Sequence, residues 1–271
     1  MKELEMKGFR FIAKFAVALC LLLAAAGGHA QNYAPEVGQA GKDVVWVPTS
    51  QALVDAMLNM ANVTSSDYLI DLGAGDGRIV ISAAKRGATA LGIEYNPDMV
   101  ELAKRSAVKE GVADRAKFER ADIFESDFSK ATVITLFLLP DLNLKLRPKI
   151  LDMKPGTRVV SNNFDMADWQ PDQTKSLTES ELGDYDTAHL WIVPAKVDGT
   201  WRLDNGQISF IQNFQNVTGT ITIKGKGMKL AGRLDGDKIS FNAEGTEYTG
   251  TVSGNTISGT LGGGGSWKAV R

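Results

Sequence analysis

Two hydrophobic periods divide the chain. Between residues 45 and 196, short apolar runs such as Tyr68-Leu69-Ile70 alternate with stretches whose apolar residues recur at helical spacing, as Met99, Val100, Leu102, Ala103 and Ala107 do. Helices are predicted over 78–86, 96–110 and 142–153, the second opened by Asn96 as N-cap and Pro97 at its first position. Strands and helices in alternation predict a doubly wound α/β domain. Beyond about Asp198 helical spacing disappears and short strands alternate, with Ile239, Phe241 and Ala243 on one side and Ser240 and Asn242 on the other. Turn signals fall at Asn205-Gly206, Asp235-Gly236, Gly245 and Ser253-Gly254-Asn255. Residues 231–240 (AGRLDGDKIS) align with 249–258 (TGTVSGNTIS), a strand-turn-strand unit repeated after eighteen residues. This predicts an all-β C-terminal domain over 197–271, an antiparallel meander of about seven strands closed as a barrel or sandwich. Trp201 and Trp267 are expected to fill its core, and residues 262–265 to form a loop before a closing strand at 266–270.

The N-terminus follows neither pattern. Lys2, Lys7, Arg10 and Lys14 precede twelve apolar residues, 15–26, and then Gly28-His29-Ala30, which reads as a signal peptide over 1–30 with a small-x-small cleavage site. Twelve residues fall short of the roughly 20 needed for a membrane span. Export to the periplasm is expected, with tethering to the inner membrane if the segment is not cleaved. Residues 31–44 read as a linker.

Composition removes several chemistries. Beyond Ala30 there is no cysteine, and His189 is the only histidine, so no disulfide framework, zinc cluster or cysteine or serine-histidine nucleophile pair is expected, and no metal. His189 lies in an apolar run and reads as a strand residue. Without residues 1–30 the chain carries 26 basic and 30 acidic residues, a net charge of about −4, with no clustered cationic surface for nucleic acid. The local patch Lys145, Arg147 and Lys149 reads as a solvated helix face.

The candidate chemistry begins at residues 71–77, DLGAGDG, placed directly after an apolar run. The glycines allow a tight turn and close approach of backbone N–H groups to a ligand. Glu94, nineteen positions beyond Gly75, ends the next strand and suits a ribose diol. A dinucleotide loop would read GxGxxG to seat a pyrophosphate, whereas this one reads GxGxG between Asp71 and Asp76. Two carboxylates disfavour a pyrophosphate and suit the ammonium and sulfonium of S-adenosyl-L-methionine. Residues 117–122 (KFERAD) predict a third strand ending in Asp122, which would accept from the adenine amino group while Ile123 packs on the ring.

With these residues the chain resembles the class I, seven-strand Rossmann-like methyltransferases, most of all the FAM173-like protein-lysine methyltransferases related to the Dot1-like group. The segments that carry the resemblance are VPTS (47–50), DLGAGDGRIVISAAKRG (71–87), GIEYNP (92–97), FLLPDLN (137–143) and GTRVVSNNF (156–164). It implies a methyltransferase domain over 45–196. In it Asp71, Gly73 and Gly75 would meet the methionine part of the cofactor, Glu94 its ribose, and Asp122 with Ile123 its adenine, while Ala74 and Tyr95 would also bind the cofactor and Pro48 and Thr49 would fold over it. Trp46 stands where those proteins carry a tyrosine and either lines a substrate channel or packs.

Methyl transfer from a sulfonium is an in-line displacement, so the protein mainly aligns donor and acceptor and excludes water. A lysine acceptor must first lose a proton. Acceptor-facing groups are expected from the end of the fourth strand, 132–139, and from the loop that follows it. Either Asp141 or Asn143 would orient the amine, or Asp141 would cap the following helix. Pro140, Asn162, Asn163 and Phe164 are candidates for lining the acceptor site. Two functions remain: a lysine methyltransferase acting on protein, or an exported nucleoside-binding module without turnover whose β domain binds a partner.

Overall fold

A computed structural model of the protein describes residues 33–177 and 185–271. The signal peptide expected over 1–30 lies outside them. Among the described residues no helix is long and apolar enough to cross a membrane.

Seven strands form the first sheet: β1 (Tyr68–Leu72), β2 (Thr89–Glu94), β3 (Ala116–Arg120), β4 (Val133–Leu136), β5 (Arg158–Asn162), β6 (Gln173–Ser176) and β7 (Thr187–Ile192). Their order is β3-β2-β1-β4-β5-β7-β6. The first five run parallel, and β7 is antiparallel to both β5 and β6. A parallel sheet needs cover on both faces, and alternate residues of β1 supply it with two cores. Leu69 packs with Leu53 and Met57 of α1 (Gln51–Met60), Val80 of α2 (Arg78–Lys85) and Val100 of α3 (Pro97–Lys109). Ile70 and Leu72 pack on the other side with Phe128, Trp169, Trp191 and with Leu146 and Ile150 of α4 (Pro140–Leu151). Strand order reverses between β1 and β4, which opens a crevice at their carboxyl ends, the usual ligand position in such sheets.

Local chemistry fixes how the elements meet there. Ser50 caps α1 by accepting from Leu53 N at 3.2 Å, and Asn96 caps α3 by accepting from Asp98 N. Gly77 starts α2 at φ +83°, and a Cβ on it would come within 2.8 Å of both the Phe118 ring and Ala103. Glycine is required there by conformation and by space.

Eight strands, β8 (Gly199–Leu203) to β15 (Ser266–Val270), close an antiparallel barrel. This is one more than the meander estimate, because the strand at each end of the domain completes the closure. Buried and exposed positions alternate, as in β12 (Lys238–Ala243), and the interior is filled by Trp201, Phe210, Phe241, Tyr248 and Trp267. Phe241 stacks on Tyr248 with centroids 4.7 Å apart and Trp267 meets both rings edge-on. Both tryptophans are core. The eighteen-residue repeat is two successive hairpins turning at Gly236 and Gly254.

Three other expectations shift. The strand predicted over 117–122 ends at Arg120, leaving Asp122 in the following loop. The helix predicted over 142–153 starts at Pro140, because proline's fixed φ favours the first helical position. The patch Lys145, Arg147 and Lys149 is not simply solvated. Lys145 lies over the Phe124 ring, Lys149 bonds the Ser126 carbonyl, and Arg147 donates to Met166 O at 2.8 Å and pairs with Asp168.

The barrel joins the first domain away from the crevice. Phe214 stacks on Trp169 at 5.8 Å, Gln215 Nε2 donates to Gln170 O at 2.8 Å, and Arg233 pairs with Asp172.

Candidate functional site

A cavity of about 180 Å³ lies at the carboxyl ends of β1, β2 and β4. Its walls bring together Asp71, Gly73, Ala74, Gly75, Glu94, Tyr95, Asp122, Ile123, Thr49, Trp46 and Phe164 of the sequence-predicted set. Pro48, Pro140, Asp141, Asn143 and Asn162 do not line it.

The glycine loop is wired inward. Gly73 N and Ala74 N both donate to Ile93 O, at 2.9 and 3.0 Å, Gly75 N donates to the Glu94 carboxylate at 2.9 Å, and Gly77 N to Ala74 O. The N–H groups of Gly73, Ala74, Gly75 and Gly77 are thus bonded within the protein. A pyrophosphate would find no nest of donors here. Glu94 also accepts from Asn96 N at 2.9 Å, so both its oxygens are fixed by backbone and keep lone pairs for a diol.

Charge in the cavity is more localised than the sequence suggests. Asp76 is neutralised by Arg78, whose Nε and Nη2 bond its carboxylate and whose Nη1 donates to Thr49 O. Asp122 is paired with Lys42, which also lies 5.0 Å from the Tyr95 ring centroid. Among the described residues Asp71 has no cationic partner. It is 3% exposed and takes one hydrogen bond from Thr135 Oγ1 at 2.6 Å. Burial pushes its carboxyl up to about 7, Thr135 offsets part of that, and the nearby Glu94 and Asp76 charges add to it. A buried acid in this state calls for a cation.

The segment read as a linker is part of the site. Nine consecutive residues, 39–47, line the cavity. Gly38 N donates to Trp46 O, Trp46 N to Gln39 O, and Gly41 N to Val44 O, which folds the segment into a strap. The Trp46 indole seats it on the glycine loop: a Cβ at Gly75, φ +54°, would stand 2.7 Å from Trp46 Nε1. Trp46 thus packs on the loop and lines the cavity as well. Thr49, at the end of the strap, has its hydroxyl oxygen bonded by Asn162 Nδ2 at 3.1 Å, leaving the hydroxyl hydrogen free to donate into the cavity.

The opposite end is apolar, lined by Phe137, Leu138, Leu139, Leu142, Phe164 and Tyr185. Phe137 falls in the stretch 132–139 expected to face the acceptor, whereas Tyr185 escaped sequence reasoning, since it sits in no motif of spaced polar residues. Asn143 does not face this end. It is fully buried on α4, and its amide donates to Phe164 O and Asp165 O, both at 3.2 Å. Asn162 is likewise buried behind Thr49. Asp141 is exposed in the first turn of α4, where Leu139 is the N-cap and no side chain caps the helix, so the expected Asp141 cap is absent. His189 lies on β7 with its Nδ1 3.0 Å from Thr174 Oγ1, outside the cavity. No barrel residue lines the cavity.

Known proteins match this arrangement. The family model of the ANTKMT methyltransferase domain matches residues 71–173 and ends before the barrel. A protein-lysine N-methyltransferase of Saccharolobus islandicus (strain REY15A) is 39% identical over 153 residues, covering 55% of this chain and 94% of that protein. The adenine nucleotide translocase lysine N-methyltransferase of Mus musculus is 35% identical over 105 residues, covering 38% of this chain and 46% of that protein, so this chain spans about half its length. The crystal structure of an RNA methyltransferase from Salinibacter ruber in complex with S-adenosyl-L-homocysteine superposes with a TM-score of 0.52 at 48% identity, covering 56% of this chain and 96% of that one.

Proposed function

The chain belongs to the family of protein-lysine N-methyltransferases related to the ANTKMT methyltransferase domain, and from that premise we propose that it methylates a lysine ε-amino group of a protein substrate. It is an S-adenosyl-L-methionine-dependent methyltransferase. When bound, the cofactor supplies a sulfonium methyl that passes in line to a neutral amine as the C–S bond breaks and its electrons return to sulfur, the amine's proton having already gone to water.

The observation that carries the reading is the division of one cavity into an acid-lined end and an aromatic end. In this assignment Asp71, the buried acid without a cation, holds the cofactor's ammonium group. Thr49 donates to its carboxylate, Glu94 takes the ribose hydroxyls, and Asp122 with Ile123 meets the adenine. The aromatic end excludes water and takes the acceptor.

The Salinibacter relative is described as an RNA methyltransferase, which makes RNA the competing acceptor. Binding it needs free cations for phosphate. The basic residues lining the cavity are Lys42 and Arg78, and both are paired, with Asp122 and Asp76. A nucleoside-binding module without turnover is the weaker reading, because the named relatives are enzymes.

The test is incubation with methyl-labelled cofactor and a cell extract, followed by acid hydrolysis. Label is expected in methylated lysine. Label removed by ribonuclease would overturn the reading in favour of RNA.

Export is a second part of the proposal, supported by the basic, apolar and small-residue sequence of 1–30. Cleavage gives a periplasmic enzyme, and an uncleaved segment an inner-membrane one. Recovery of the intact chain in the cytoplasmic fraction would overturn it.

A further inference from the structure

We propose that Phe137, Phe164 and Tyr185 form an aromatic subsite that binds the acceptor as an alkylammonium cation by the faces of its rings. The inference rests on the methyl-transfer reading and adds what recognises the acceptor.

The rings come from three separate places: the end of β4, the loop after β5, and the approach to β7. They nonetheless form one cluster. Phe137 and Phe164 stack with centroids 6.2 Å apart, Tyr185 meets Phe137 edge-on at 5.3 Å, and Tyr185 lies 6.3 Å from Phe164. All three line the cavity and are only partly buried, unlike Trp169 and Trp191, which are fully enclosed in the core behind them. Core filling therefore does not account for them.

The fold also spends polar groups on placing Phe164. The chain turns through the left-handed region at Asn163, φ +60°, and Phe164 N bonds back to Asn162 O at 2.7 Å. The buried Asn143 amide then pins the Phe164 and Asp165 carbonyls. Partly buried ring faces set around an opening attract a cation through the negative potential of their π systems, by about fivefold in affinity for a well-placed ring. A flexible lysine stem reaches between such rings, and its ammonium meets a surface that holds charge without fixing it by a salt bridge. The amine can then lose its proton and turn toward the methyl group.

The test uses the full chain saturated with S-adenosyl-L-homocysteine and two probes of equal shape. Choline carries the cation, and 3,3-dimethylbutan-1-ol is its uncharged isostere. Choline is expected to bind at least fivefold more tightly. Phe164→Leu and Tyr185→Leu should each weaken choline about fivefold and the isostere less than twofold. Tyr185→Phe, which keeps the ring, should retain choline binding within twofold. S-Adenosyl-L-homocysteine affinity and thermal unfolding, measured on every variant, report the cofactor end and the fold. Equal affinity for the two probes, or unchanged choline binding in both leucine variants, would overturn the subsite. So would a parallel loss of S-adenosyl-L-homocysteine, since the rings would then belong to the cofactor end. The outcomes separate from those of the wider reading. Labelled lysine with unaltered kcat/KM in the leucine variants sinks the subsite alone, whereas selective choline binding with label only in RNA sinks the lysine assignment alone.

Discussion

Thr135 donates its hydroxyl to the Asp71 carboxylate across the β1–β4 pairing at 2.6 Å, and both side chains are buried. Among the described residues it is the one hydrogen bond to the Asp71 side chain, in surroundings that otherwise disfavour the ionised acid. Asp71 therefore stays protonated in the free protein below about pH 7, and ionises there only at higher pH. The unfolded chain releases this proton near the ordinary carboxylate value, so the native state binds more protons between about pH 4 and pH 7. Stability then falls as pH rises through that window, by about 4 kcal/mol in the limit. Asp71→Asn should flatten that dependence in denaturant titrations at pH 5 and pH 8, and should weaken cofactor binding at least tenfold at pH 8. In the native protein, cofactor affinity should drop about tenfold for each pH unit below 7, as calorimetry can measure, because the ammonium group requires the ionised acid.

Asn143→Leu removes two buried hydrogen bonds to the Phe164 loop. We expect a loss of about 1–3 kcal/mol in stability. kcat/KM for the acceptor should fall while S-adenosyl-L-homocysteine affinity stays within about twofold, since Asn143 touches the aromatic end alone. Equal losses at both ends would show that the residue supports the whole sheet edge.

Lys42 ties the strap to Asp122 and sits over Tyr95. The pair is partly exposed, so solvent screens it. Lys42→Met should raise the S-adenosyl-L-homocysteine dissociation rate about two- to fivefold, with the difference shrinking in high salt. Stopped-flow measurement at two ionic strengths checks both the size and the salt dependence.

Gly75→Ala puts a methyl group into the Trp46 indole and forces a left-handed conformation on alanine. Cofactor affinity should fall by more than tenfold, and Trp46 fluorescence should shift as the strap lifts. The alanine substitution at Gly245, where a Cβ has open space at the same sign of φ, should change stability through backbone strain and leave cofactor binding intact.

What could be read from the sequence was what is encoded locally. The DLGAGDG loop, Glu94 and the cap at Asn96 sit beside the strands and helices that position them, and the barrel announces its strands through alternation and paired glycines. Residues 39–44 of the strap were read as linker because their partners are remote: Lys42 meets Asp122 eighty residues on. Tyr185 was missed for the same reason, since ring-to-ring contact leaves no spacing rule in the chain. Asn143 was misjudged because its position after β4 suggested the cavity, while the phase of α4, set by Pro140, turns it into the core.

The strap also sets a leash. Gln39 already lines the cavity, and Tyr33 lies only six residues ahead of it, a reach of about 20 Å at full extension. Whatever holds the chain at Tyr33 therefore holds the mouth of the site within that radius, and acceptors confined to the same surface would be sampled at a high local concentration.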